Sequence, residues 1–155
     1  MPTPTEYIKR IEFADRIIKM RTEGLTHADS MKQLPFPANC MNWNLGHLMV
    51  YRDQYLGVID GLSQADPEEF KLYGAGSDPL TDSEKALPLE MILERLETAS
   101  ERLKAAFIAL PPDQLDESFE SFAGETINDY LHFYAVVHEA LHLGQLEILR
   151  ELALS

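Results

Sequence analysis

Residues 127–152, INDYLHFYAVVHEALHLGQLEILREL, carry the longest run of helical periodicity in the chain. Their apolar side chains recur three and four positions apart instead of alternating, which is the spacing of an amphipathic α-helix. Thr126 stands just before the run and Asp129 follows three residues later, a pairing typical of a capped helix N-terminus. The stretch therefore predicts one long helix with a buried face.

Three other segments show the same spacing, at residues 5–21, 43–59 and 88–110, the last ended by Pro111 and Pro112. The chain is therefore predicted to be all-α and to fold as a four-helix bundle. Residues 63–87, rich in turn formers, predict a long crossover connection with one short helical turn at DPEEF. Such a loop either closes over a binding site or is a solvated link between helices.

Length and composition narrow the class of protein. With 155 residues and 45% hydrophobic content, residues 1–155 are expected to form a single domain. The formal net charge of −13 disfavours nucleic acid as a partner, because it would repel phosphates. Cys40 is the only cysteine, and the sequence shows neither an apolar run of membrane-spanning length nor a signal peptide. We therefore expect a cytoplasmic protein without a membrane partner.

Polar side chains interrupt the buried face of the long helix. At about 100° per residue, His138, His142 and Gln145 fall on one stripe. The rest of the stripe is apolar or aromatic: Ile127, Leu131, Tyr134, Ala135, Leu141, Leu149 and Leu152. A buried polar group without a partner costs about 1–3 kcal/mol, so this cluster must have hydrogen-bond partners or hold a metal ion. Histidines four residues apart project side by side and can reach one ion.

Residues 138–142, HEALH, also match the HExxH pattern of zinc proteases. In those enzymes the glutamate must face the metal-bound water. Glu139 lies about 100° from His138 around the helix and is expected to face solvent. The protease interpretation is therefore disfavoured.

The second predicted helix, residues 43–59, also carries polar side chains on its inward face. His47 lies on a stripe with Trp43, and the inward faces of two helices in a bundle meet across the core. Three neutral imidazoles with an open fourth position are typical of a reactive metal site, so we predict His47, His138 and His142 as ligands. Five polar neighbours either bond to these histidines, contact a substrate or are satisfied core groups: Asn44, Tyr51, Gln54, Tyr134 and Gln145. Gly144 is expected to allow close approach of a helix or to leave room beside the metal.

Residues 43–56 and 137–152 resemble the DinB/YfiT-like superfamily. The second stretch, VHEALHLGQLEILREL, contains the His-x-x-x-His-x-Gly-Gln run of that family. The resemblance implies a four-helix bundle that is usually dimeric and holds one divalent metal ion through three histidines, which correspond to His47, His138 and His142. It also implies thiol-dependent S-transfer, isomerisation or metal-dependent hydrolysis as the range of activities, with many members that have no assigned reaction.

Three functions stay open at this point, each with a homodimer expected. The first is an enzyme in which a divalent transition metal, zinc or nickel before iron, activates water or a thiol for hydrolysis or S-transfer on a small molecule. S-transfer is less favoured, because common thiols carry carboxylates and Arg52 points about 140° away from His47. The second is a bundle that binds a metal or small ligand without turnover. The third is a plain bundle whose histidines pair with core hydroxyls and amides. No catalytic base is identified.

Overall fold

The computed structural model describes residues 1–61, 66–111 and 113–155. Its elements follow in chain order: α1 (Pro4–Thr22), α2 (His27–Ser30), α3 (Met41–Asp60), α4 (Pro67–Tyr73), α5 (Leu89–Ala109), a 3-10 turn (Gln114–Asp116), β1 (Ser118–Ser121), β2 (Gly124–Thr126), α6 (Ile127–His132), a π-helical segment (Phe133–His138) and α7 (Glu139–Leu154). The last three form one continuous helix, here called the C-terminal helix, which packs against α1 and α3, while α5 also packs against these two helices. The prediction of an all-α fold is confirmed. Among the described residues, no helix is both long enough and apolar enough to cross a membrane.

The helix starts are set in two different ways. Thr126 caps the start of the C-terminal helix as predicted. Its hydroxyl accepts from the backbone N–H of Asp129, and the Asp129 carboxylate accepts from the backbone N–H of Thr126. α3 begins after Cys40 with no side-chain cap. Both Asn42 and Asn44 lie inside α3 and are buried, and their amides make bonds within the core.

α3 is the central helix of the bundle, in contact with α4, α5 and α7. Residues 40–53 are buried without a break, so most of this helix is enclosed on all sides instead of presenting a polar face to solvent. Every polar side chain within that range therefore needs a partner inside the protein.

One buried arginine joins the four long helices. Arg52 on α3 donates from Nε and Nη2 to the two carboxylate oxygens of Glu139 on α7, at 3.0 and 3.1 Å. Its Nη1 donates to Asp15 on α1 at 2.7 Å and to the Ser100 hydroxyl on α5. The prediction that Glu139 faces solvent is wrong, since only 2% of it is exposed. The guanidinium is what keeps this carboxylate in the core, because a buried charge needs a buried partner.

The crossover after α3 is packed onto that helix. The short helix predicted at DPEEF is present as α4 and extends to Tyr73. The Tyr73 hydroxyl donates to Asn42 Oδ1 at 3.0 Å and accepts from the backbone N–H of Leu87 at 2.8 Å. Its ring lies so close to Gly46 that a Cβ at that position would overlap it. Crossover residues 63–65, and Pro112 at the predicted end of the third helix, lie outside the described residues.

Candidate metal centre

Three histidines from two helices meet at one point of the bundle. His47 lies on α3, His138 is the last residue of the π-helical segment, and His142 follows one turn later on α7. One ring nitrogen of each lies within 4.8 Å of the other two, and the Nε2 atoms of His47 and His138 are 2.9 Å apart. Metal–imidazole bonds are about 2.0–2.1 Å long, so nitrogens this close could hold one ion.

Oxygen acceptors fix the orientation of two of the rings. Nδ1 of His47 donates to the Tyr73 carbonyl at 2.6 Å, and Nδ1 of His142 donates to Asn44 Oδ1 at 2.8 Å. These acceptors have no proton to give, so Nδ1 carries the proton and Nε2 carries the lone pair. The Asn44 amide is itself oriented, because its Nδ2 donates to the Cys40 carbonyl at 2.9 Å. Proteins commonly orient metal-binding imidazoles in this way.

His138 is the ring without such support. Its Nδ1 is buried and has no hydrogen-bond partner among the residues that the structure describes. If Nε2 carries the proton, Nδ1 is left as an unpaired acceptor; if Nδ1 carries it, two lone pairs face each other at 2.9 Å. The second arrangement costs repulsion between the two lone pairs, and a cation bound by both Nε2 atoms would turn that repulsion into attraction. The donor set therefore fits a divalent metal ion.

Burial keeps the three rings neutral. It lowers the pKa of His47 to about 4 and the pKa of His138 to about 3. It also lowers the pKa of His142. Repulsion from the neighbouring histidines lowers the first two values further. At neutral pH each ring is therefore in the neutral state, with one nitrogen lone pair free, that metal binding requires.

Aromatic rings pack around the cluster. Trp43 stacks on His47 with ring centroids 4.5 Å apart. Tyr51 contacts His47 and His138 at 4.5 and 4.9 Å, and Tyr134 stacks on Tyr51 at 5.6 Å. The Tyr51 and Tyr134 rings restrict the access of water to the histidines from the bundle side.

The match to known protein families covers nearly the whole chain. A family model described as the DinB superfamily matches residues 11–146, a range that includes all three histidines. The chain belongs to the DinB superfamily. The resemblance carried by the helical motif is thus confirmed. No curated protein sequence matches the chain.

A cavity of about 600 Å³ opens beside the histidines of this DinB-superfamily protein. Its walls come from residues 34–39, from Ala75 and Gly76 of the crossover, and from residues 145–149 of α7. The crossover thus contributes two residues to the cavity walls, and a role for it in ligand binding stays a prediction.

The structure places the five predicted neighbours at different distances from the cluster. Asn44, Tyr51 and Tyr134 lie against the histidine rings. Gln145 is exposed and lines the cavity. Gln54 is half-buried and does not line it. It lies on the same face of α3 as His47, but seven residues further on, which is about 10 Å along the helix axis.

The histidines lie at the edge of the buried face of α7. The expectations that Leu141 faces the core and that Gly144 allows close approach of a helix are wrong, and the alternative that Gly144 leaves room beside a metal ion stays a prediction. The fully buried side chains of α7 are Glu139, Leu143, Leu146, Leu149 and Ala153. Leu141, predicted to face the core, is 63% exposed, and a Cβ at Gly144 would meet no atom within 4 Å. An ideal helical wheel centred on His138 cannot show which side of the stripe packs, and it does not allow for the wider turns of the π-helical segment.

Three contacts that support the cluster were not predicted. The Tyr55 hydroxyl donates at 2.8 Å to the carbonyl of Tyr134, inside the π-helical segment that ends at His138. The Tyr73 carbonyl accepts a hydrogen bond from His47, and Arg52 forms an ion pair with Glu139, the residue after His138. A backbone carbonyl gives no sequence signal. A single arginine within an otherwise buried run does give a sequence signal, because a buried arginine requires an acidic partner.

Proposed function

We propose that this protein binds one divalent transition metal ion through His47, His138 and His142 and uses it to hydrolyse a small molecule. The observation that carries the proposal is the convergence of three neutral imidazoles on the wall of a cavity. Imidazole suits zinc, nickel, copper and iron alike, and zinc and nickel are the first candidates.

The contribution of the chain follows from its contacts. A divalent ion held there would act as a Lewis acid and lower the pKa of a coordinated water molecule. The Tyr73 carbonyl and Asn44 orient two of the imidazoles, and burial keeps all three neutral. Tyr51 and Tyr134, which do not line the cavity, cover the cluster on the bundle side, so the cavity is the side from which a substrate approaches.

Hydrolysis is preferred to S-transfer because the described cavity walls contain no Lys or Arg. Arg52 is fully buried, and its donors are bonded to Glu139, Asp15 and Ser100. A thiol cosubstrate bearing carboxylates would therefore find no cationic partner beside the histidines.

A metal- or ligand-binding protein without turnover is the second candidate. One observation favours it: among the described residues, no Asp or Glu lines the cavity. Glu139, the acid nearest to His138 in sequence, is bonded to Arg52. A chain without a positioned general base could hold an ion or a small ligand as a sensor.

Metal analysis of untagged protein is the first test. We expect about one equivalent of zinc or nickel per chain. The His142→Ala variant should lose most of this metal and keep its helical circular dichroism. The matched variant His132→Ala, on the same helix but outside the cluster, should keep the metal. Absence of bound metal after incubation with zinc and with nickel would overturn the proposal and favour a plain bundle.

A turnover screen separates the remaining candidates. We expect hydrolysis of neutral esters or amides that stops on chelation and returns when metal is restored. Metal binding without turnover of any of them would favour the binding protein. Turnover that requires an added thiol would favour S-transfer.

The proposal includes a homodimer and a cytoplasmic location. The dimer is supported by apolar side chains on the outer surface of the C-terminal helix, where Val137 and Leu141, neither of which lines the cavity, are 42% and 63% exposed. Both features stay predictions.

A further inference from the structure

The polar groups on the cavity walls are mostly engaged. Among the described lining residues there is no Asp, Glu, Lys or Arg. The Trp43 indole N–H donates to the Ser77 hydroxyl at 2.8 Å, and the Asn44 amide is held between Cys40 and His142. An occupant would therefore meet few polar groups beyond the histidine nitrogens, the Asn39 amide and the exposed Gln145 amide, which itself interacts with His142.

The mouth of the cavity is apolar. Phe36, from the segment before α3, and Ile148, on α7, both line it and are 60% and 62% exposed. Ile148 follows His142 by six residues, which is about 9 Å along the helix axis. A molecule that touches the histidines and Ile148 together thus needs an apolar body of about that length.

Away from the histidines, the cavity walls select against ionic groups of either sign. Placing a carboxylate or an ammonium group in a cavity costs several kcal/mol unless an opposite charge compensates it. No described lining residue supplies such a charge, and the formal net charge of −13 adds long-range repulsion for anions.

We propose that the cavity binds a neutral small molecule with one polar head group at the histidines and an alkyl or aryl body against Phe36 and Ile148. The head-group part rests on the metal site proposed above. The apolar part does not, since it depends only on the cavity walls.

A matched series of hydroxamic acids tests the proposal on zinc-loaded protein by calorimetry. Octanohydroxamic acid has an apolar chain and a head group that is neutral in solution and releases its proton on binding zinc. Acetohydroxamic acid lacks the chain, and suberic acid monohydroxamate has the same chain length but ends in a carboxylate. We expect the octanoyl compound to bind at least tenfold more tightly than either of the others, because only its chain gains burial without placing a charge in the cavity. Equal affinities, or tighter binding of the carboxylate, would overturn the proposal.

The Ile148→Lys variant gives a readout that a general structural defect would not produce. It should weaken binding of octanohydroxamic acid at least tenfold and strengthen binding of suberic acid monohydroxamate, which reverses the order of the two ligands. Ile108→Lys is the matched control on α5, because Ile108 is 77% exposed and does not line the cavity. An unchanged order in Ile148→Lys, or the same reversal in Ile108→Lys, would contradict the assigned site.

Metal-free protein separates failure of this proposal from failure of the metal site. The neutral fluorophore N-phenyl-1-naphthylamine has no group that requires a metal, and we expect it to bind metal-free protein and to bind the Ile148→Lys variant at least tenfold more weakly. Absence of zinc in metal analysis with retained fluorophore binding would overturn the metal site alone. Absence of fluorophore binding in correctly folded protein would overturn the apolar cavity.

Discussion

Each imidazole of the cluster is held in a different way. His47 is tied to a backbone carbonyl, His142 to the Asn44 side chain, and His138 has a buried Nδ1 without a partner among the described residues. The two supported rings present Nε2, and the third depends on how the C-terminal helix is packed. At the residue scale, Asn44 is therefore the support that mutation can remove most cleanly, since the Tyr73 carbonyl belongs to the backbone.

Replacement of Asn44 tests this support. Asn44→Ala removes the acceptor for His142 Nδ1 and should lower zinc affinity by about 10–100-fold, as loss of such partners does in other metal sites. Asn44→Asp keeps an oxygen acceptor and should bind zinc at least as tightly as the parent. The check is a competition titration with a chromophoric chelator. Equal loss in both variants would mean that the amide acts through folding and not through His142.

At the element scale, two features place the histidine-bearing helices. α3 is enclosed by its neighbours, and the crossover approaches it at Gly46 through the Tyr73 ring. The C-terminal helix is fixed by the ion pair of Arg52 with Glu139, next to His138, and by the Tyr55 bond to the π-helical segment. The positions of the histidines thus depend on buried contacts between elements.

Glycine substitutions at two helical positions should have opposite effects. Gly46→Ala places a Cβ into the Tyr73 ring, so we expect a loss of about 1–3 kcal/mol in unfolding free energy and weaker metal binding as Tyr73 moves away from His47. Gly144→Ala places a Cβ in open space on a helix, so we expect a gain of about 1 kcal/mol. Urea denaturation of the two variants and the parent measures both changes in unfolding free energy. Stabilisation by Gly46→Ala would contradict the close approach of the crossover.

Removing one partner of the Arg52–Glu139 pair should destabilise the protein strongly, whereas replacing both partners should destabilise it little. Arg52→Met leaves the Glu139 carboxylate buried without its cation and should lower the free energy of unfolding by about 3–5 kcal/mol. The double variant Arg52→Met, Glu139→Leu removes both charges and should recover most of that loss. Urea denaturation of the parent, both single variants and the double variant gives the coupling energy. Additive losses would show that the two side chains contribute independently.

At the scale of the whole molecule, one hydrophobic cluster connects side chains of all the long helices. This continuity supports a single domain over residues 1–155, which stays a prediction. Outside that core, the C-terminal helix carries the exposed apolar side chains on which the proposed homodimer rests.

A charge on that outer surface should separate the subunits. Leu141 is 63% exposed, so Leu141→Glu should fold normally and shift the protein from dimer to monomer in sedimentation velocity. Ile108→Glu, at a 77% exposed position on α5, is the control and should sediment like the parent. Identical sedimentation of all three proteins would argue against a dimer through the C-terminal helix.

The sequence by itself determined the helices and identified the three histidines as candidate metal ligands. Local periodicity and proline and glycine positions depend on neighbours a few residues apart, so the bundle and the Thr126 cap could be predicted. The spacing of His138 and His142, and the position of His47 on an inward stripe, predicted a shared site for the same reason. Short elements such as α2 and the β1–β2 hairpin were not predicted, because their periodic signal is too brief.

Only the tertiary structure decided what surrounds the histidines. Glu139 is buried because a guanidinium 87 residues earlier in the chain meets it, and His47 is oriented by the carbonyl of a tyrosine that a crossover brings back onto α3. Leu141 is exposed and Gly144 faces open space because packing, and not the helical wheel, selects the buried side of α7. These contacts join residues far apart in the sequence. Which distant residues meet depends on the packing free energy of the whole fold, and a local sequence pattern does not report that free energy.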